Sequence, residues 1–135
     1  MSNQKRKIIL EIKKVCIEVK KGQYECREVP HNMANKRMFW RTKSRWNNAW
    51  KSEVCVQVLA YRNQFGKLPL HMPSITVVLG HSHLFDIDGA YTAAKPVLDG
   101  IRIAGVIADD SLKYLRDYKV TQSTQFRGTI VEIEF

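Results

Sequence analysis

The sequence predicts an α+β domain, a mixed β-sheet with two principal helices, and three observations carry that reading. Short β-branched runs over residues 7–19, 75–79 and 128–135 alternate or bury as strands do. Trp46, Trp50, Val54 and Val58 recur every fourth residue, the mark of an amphipathic helix. A second helical pattern, through Ala94, Leu98 and Ile101, follows the middle strand.

The elements follow in order. Ile8, Leu10 and Ile12 alternate with Ile9, Glu11 and Lys13, so residues 7–19 read as strand. Residues 20–23 (Lys-Lys-Gly-Gln) make a turn into a second short strand over 24–29. Residues 30–43 show no period and read as a basic loop. The tryptophan helix starts near residue 44 and ends near Gly66, its two tryptophans serving as core anchors or, alternatively, as base-stacking platforms. Pro69 and Pro73 make 68–72 a connector before the buried strand 75–79. Asp88 caps a helix that runs to about Ile103 and stops at Ala104-Gly105. Pro96 lies inside it, so this helix either kinks or begins near Lys95. A short helix or turn near 112–115 precedes the last strand.

The length, 135 residues, suits one domain spanning residues 1–135. Net charge is +9 and unevenly placed. Residues 1–67 carry 16 Lys/Arg against 5 Glu, whereas residues 68–135 carry 6 Lys/Arg against 8 acids. Such basic chains meet nucleic acid or anionic membrane. No apolar run approaches the roughly 18 residues of a spanning helix, and no amphipathic anchor or lipidation signal is seen, so no membrane partner is expected. The apolar residues 8–10 are too few for a signal-peptide core, and the expected location is cytoplasmic. Three cysteines without CxxC spacing (Cys16, Cys26, Cys55) read as reduced structural thiols. Without GxGxxG or a P-loop, no nucleotide cofactor is expected.

All six aspartates fall between Asp86 and Asp117. Clustered carboxylates repel and raise one another's pKa unless they are solvated or share a divalent cation. In extended backbone Asp86 and Asp88 point the same way. The following helix and the turn at Gly105 are expected to return Asp109 and Asp110 beside them. Oxygen donors of this kind suit Mg²⁺ or Mn²⁺. Lys95 and Asp99, four apart, share a helix face, where a cation can offset charge on a transferring phosphate. Taken alone, these residues read first as solvated loop acids and an ordinary surface ion pair worth under about 1 kcal/mol. His81 and His83 offer a second, weaker metal pattern.

Asp-Ile-Asp at 86–88, Lys-Pro-Val-Leu-Asp-Gly-Ile at 95–101 and Ala-Gly-Val-Ile-Ala-Asp-Asp-Ser at 104–111 together resemble the signature of the RusA-type Holliday-junction resolvases. The resemblance covers residues 86–111. It implies a RusA-like fold, a homodimer, and a Mg²⁺-dependent endodeoxyribonuclease that resolves four-way or other branched DNA in recombination and repair. It matches Asp86, Asp88 and Asp110 to the family's metal-binding acids, with Asp109 in support, Lys95 to its catalytic lysine, and Asp99 to a structural helix acid. Two positions depart from the pattern. Gly89 stands where the family has Asn, and Lys95 lies seven residues past Asp88 rather than four. If residues 89–94 stay outside the helix, Lys95 reaches the site. If they extend it, the alternative is a DNA-binding protein of this fold that has lost cleavage. A third alternative is a small basic protein that binds another protein. For DNA contact the candidates are Arg37, Trp40, Arg41, Lys43 and Arg45, in or near the basic loop.

Overall fold

Ile8, Leu10 and Ile12 form the inward row of β1 (Lys7–Ile12), while Lys7, Ile9 and Glu11 face solvent. The same period of two builds β4 (Ser74–Gly80), where Ile75, Val77 and Leu79 are fully buried. It also builds β6 (Gly128–Glu134), with Val131 and Ile133 inward. The computed structural model describes residues 6–30, 40–109 and 113–135, with backbone alone at residues 40 and 41. With β5 (Asp117–Ser123) these strands make a four-stranded sheet in the order β1-β6-β4-β5. β6 is antiparallel to both its neighbours, and β5 is parallel to β4. The architecture is therefore α+β with a mixed sheet, as expected.

The strand expected over residues 7–19 is two strands. β2 (Lys14–Lys20) leaves the main sheet and pairs only with β3 (Gln23–Glu28) in a two-stranded hairpin, among the described residues. The buried positions explain the break. Ile8, Leu10 and Ile12 are two apart, but the next buried residue is Val15. An interval of three cannot stay on one face of a continuous strand. The hairpin register also corrects the expectation of three reduced thiols. Cys16 and Cys26 stand directly opposite each other, their Cα atoms 4.0 Å apart, and are joined as a disulfide, while Cys55 is a free thiol.

The tryptophan helix, α1 (Trp40–Leu59), starts about one turn earlier than the basic loop was expected to end. Trp46, Trp50, Val54 and Val58 are each at most 1 % exposed, so both tryptophans are core anchors. The helix does not reach Gly66. It gives way at Ala60–Tyr61 to a single turn, α2 (Arg62–Phe65), which buries Phe65. Arg45 and Arg27 fasten the hairpin to α1. The Arg45 guanidinium donates to the Glu18 carbonyl, and that of Arg27 lies 4.6 Å from the Trp46 ring centre.

After β4 the chain forms α3 (Ile87–Ile103) and returns as β5, a βαβ crossover. α3 begins at Ile87, not near Lys95, and Pro96 lies within it, so the expectation that residues 89–94 stay outside the helix is overturned. Proline at this position removes the hydrogen bond to the Thr92 carbonyl. Its ring, however, is buried on the face that α3 turns toward the core with Val97 and Ile101. Gly100 sets how closely α3 approaches α1. A Cβ there would lie 2.6 Å from the Lys51 carbonyl oxygen and 2.8 Å from Val54 Cβ.

β5 was not anticipated. It is an edge strand, as β1 is, and its half-buried row, Tyr118, Val120 and Gln122, alternates with exposed Asp117, Lys119 and Thr121.

Candidate functional site: the start of α3 and the cleft beside it

The backbone turns from extended to helical between Asp86 and Ile87, and this turn determines what the two aspartates can do. Asp86, not Asp88, is the N-cap, its Oδ1 accepting from the Gly89 N–H at 2.6 Å. Asp88 sits inside the first turn, where a carboxylate is favoured by the helix dipole. Successive helical residues rotate by about 100° around the axis. The parallel alignment expected of an extended Asp-Ile-Asp is therefore lost, although both carboxylates stay exposed at one helix start. Gly89 belongs to the cap, because a Cβ there would lie 2.5 Å from Asp86 Oδ1. An Asn at this position would push the Asp86 carboxylate out of its capping position.

The segment entering α3 is held by Gln122, a residue that no sequence motif marks. Gln122 Oε1 accepts from the Phe85 N–H at 2.7 Å, and its Nε2 donates to the Phe85 carbonyl at 2.9 Å. Because Oε1 is an acceptor, His81 Nε2, 2.9 Å away, carries the proton of that contact. His81 is buried and its ring lies 4.5 Å from that of Phe85, whereas His83 is exposed. The His-Ser-His pattern is thus a structural clamp at His81. The alternation of Tyr118, Val120 and Gln122 was the signal that could have revealed it.

Asp109 is not beside Asp86 and Asp88. β4 delivers the chain to Asp86 at its C-terminal end, and α3 runs back, since Asp117 pairs with Ser74 at the other end. There the connection is tied by the Leu70 N–H donating to the Val106 carbonyl at 2.7 Å. The Arg116 N–H donates to the Pro73 carbonyl at 3.0 Å. Asp109 is three residues from Val106, a reach of about 10 Å, whereas a seven-residue strand is about 20 Å long. The expected return of Asp109 to the first two aspartates is therefore corrected. Asp110 lies outside the described residues, as does Arg37, and so do the side chains of Trp40 and Arg41. Among the described residues no three His, Cys, Asp or Glu side chains gather as a metal-holding group.

Lys95 is exposed, and its Nζ donates to Asp99 Oδ1 at 3.2 Å. In an unbroken helix it stands seven residues past Asp88, about 10 Å along the axis. What it joins instead is a cleft of about 650 Å³ between α1 and α3. Lys43 and Lys51 of α1 line this cleft with Lys95 and Asp99, and Phe85 and Gly89, which bracket the two aspartates, form its border. Of the sequence-predicted residues, Lys43 and Lys95 line this one cleft, and Asp86 and Asp88 join it only through their chain neighbours Phe85 and Gly89. Arg45 is diverted to the hairpin.

Behind Asp99 lies an unsatisfied polar group. The Tyr118 hydroxyl is buried and finds no hydrogen-bond partner among the described residues. Burial first, then Tyr91 and Asp99 nearby, push its phenol well above the ordinary tyrosine value of about 10. Tyr118→Phe is expected to raise stability by about 1 kcal/mol, because an unsatisfied buried hydroxyl is removed. The raised pKa keeps the folded phenol protonated after the unfolded one ionises. Its contribution is therefore intact below about pH 10 and is lost as the pH rises beyond that. Thermal melts at pH 7 and from pH 9.5 to 11 check both points. Equal midpoints and equal alkaline slopes for the two proteins would contradict them.

No family model, no curated protein and no solved structure matches this chain.

Proposed function

We propose that this protein is a Mg²⁺-dependent, structure-selective endodeoxyribonuclease of the RusA type, acting as a homodimer on four-way or other branched DNA in recombination and repair. The observation that carries the reading is the placement of two exposed carboxylates, Asp86 and Asp88, at a helix start bordering a cleft that holds Lys43, Lys51 and Lys95. The donors fit a hard cation in kind: both are carboxylates, and the Asp86 cap engages Oδ1, leaving the second oxygen of that group for a ligand. Asp86 and Asp88 would hold Mg²⁺ or Mn²⁺; Asp110, the third acid that the resemblance supplies, lies outside the described residues. When bound, such a cation lowers the pKa of water and offsets charge on the attacking and leaving oxygens. Lys95 offsets charge on a phosphate lying in the cleft, and Lys43 with Arg41 and Arg37 holds neighbouring phosphates. A homodimer suits the substrate, because two-fold symmetry presents two sites to strands of like polarity.

A second reading has a specific observation behind it. α3 is continuous from Ile87, and Lys95 pairs with Asp99 instead of folding back toward Asp88. This favours a protein of the same fold that binds DNA without cutting it. Nicking of a labelled synthetic four-way junction, in Mg²⁺ and in EDTA, separates the two.

The compartment we propose is the cytoplasm, where DNA is met. Disulfides persist in oxidising compartments, so that location requires the Cys16–Cys26 pair to be reduced there. No helix among the described residues is long and apolar enough to cross a membrane.

Binding is expected to be chiefly electrostatic. Arg41→Ala with Lys43→Ala is expected to weaken junction binding and to flatten its log–log salt slope by about two, one for each phosphate no longer neutralised. Filter binding or anisotropy across a salt series reads this directly. An unchanged affinity and slope would remove this end of α1 from the interface.

A further inference from the structure

We propose that the cleft between α1 and α3 seats a single unpaired nucleotide of a DNA strand, an assignment that rests on the nucleic-acid reading above and names the seat within it. The cleft, about 650 Å³, falls in the roughly 300–1,000 Å³ range of small-ligand sites. That is a far better match to one nucleotide than to a duplex, whose backbone needs a broad groove. Its composition divides as a nucleotide does. Phe85, half-buried, gives an aromatic wall against which a base face can lie, with Ala93 and Pro96 beside it in the lining, and Trp50 is a core residue that also borders the cleft. Asn47 and Asn48 place side-chain amides in the same lining, each offering donors and an acceptor to a base edge. Lys43, Lys51 and Lys95 set three cations against the one carboxylate of Asp99, so the cleft carries an excess of positive charge for a phosphate. These residues come from α1, α3 and the segment entering α3, and the spacing of the two helices is set by the close approach at Gly100, so the seat is built by the fold and not by one helix alone.

Such a seat takes a base that has left the stack, the state that branch points and single strands supply at the smallest cost. Asn47 and Asn48 are then contact residues outside the aspartate and lysine set already considered.

The experiment is a titration in EDTA, so that no metal is needed. Thymidine monophosphate, a five-residue oligothymidylate and a blunt duplex are added to the full chain while tryptophan fluorescence is followed. Quenching by the oligothymidylate, weakened about ten-fold or more in Asn48→Ala with Lys51→Ala, is the expected result. Both side chains lie at the surface or partly exposed, and matching thermal melts establish that the variant is folded. Quenching by the monophosphate at a similar concentration assigns the seat to a free nucleotide instead, and overturns the strand proposal. Oligothymidylate affinity equal in variant and wild type overturns it too, even where junction nicking is intact. Absence of junction nicking by the wild type in Mg²⁺, with quenching and its sensitivity to the variant retained, leaves the seat standing and sinks only the nuclease reading.

Discussion

Gly100→Ala is expected to lower the thermal midpoint by about 3–15 °C. The added Cβ would lie 2.6 Å from the Lys51 carbonyl oxygen and 2.8 Å from Val54 Cβ, well inside normal contact. A carbonyl within a regular helix has no freedom to swing aside as a long side chain would, so α1 and α3 must separate. Overpacking of this kind costs about 1–3 kcal/mol, and for a domain of this size each kcal/mol moves the midpoint by about 3–5 °C. Separation also opens the cleft, since both helices line it. Oligonucleotide binding is therefore expected to weaken together with stability. A midpoint within 1 °C of wild type would show that the two helices do not meet at Gly100.

Asp86→Asn and Asp88→Asn are each expected to remove junction cleavage by about a thousand-fold or more. A metal ion contributes several kcal/mol of charge stabilisation to the reacting phosphate, and each 1.36 kcal/mol is about a factor of ten in rate. Asparagine caps a helix about as well as aspartate. Asp86→Asn therefore keeps the start of α3 while removing the charge, whereas Asp86→Ala would add a folding cost of about 1 kcal/mol. Junction affinity in EDTA is expected to hold or tighten, since a carboxylate near phosphate repels it. Nicking rates and affinities measured on the same preparations make the comparison. Variants that cut at wild-type rate would exclude these carboxylates from the chemistry.

Much of the fold was legible because its buried rows keep strict periods. Ile75, Val77 and Leu79 spell a strand, and Trp46, Trp50, Val54 and Val58 spell a helix, in the primary sequence itself. The misses have physical causes as well. The break at Lys13 shows only as the shift of phase between Ile12 and Val15, which a run of β-branched residues on both faces conceals. β5 has no fully buried residue, so its alternation is one of half-buried and exposed side chains. Pro96 allowed a late helix start, yet α3 runs through it unbroken with the proline buried. At the site, the pairing of Lys95 with Asp99 was readable from their spacing of four. The position of Asp109 was not. It follows from β5 lying parallel to β4, which sends the end of α3 back to the opposite end of these strands, and no local pattern encodes that.

The most direct measurement is strand cleavage of a labelled four-way junction by wild type and Asp88→Asn side by side, across a Mg²⁺ series that begins in EDTA. The expected result is paired nicks near the branch point that rise with Mg²⁺ for wild type, none for Asp88→Asn, and junction binding by Asp88→Asn at least as tight as wild type. Binding by both proteins with no metal-dependent cutting by either, in Mg²⁺ or in Mn²⁺, would contradict the nuclease account and leave a DNA-binding protein of this fold.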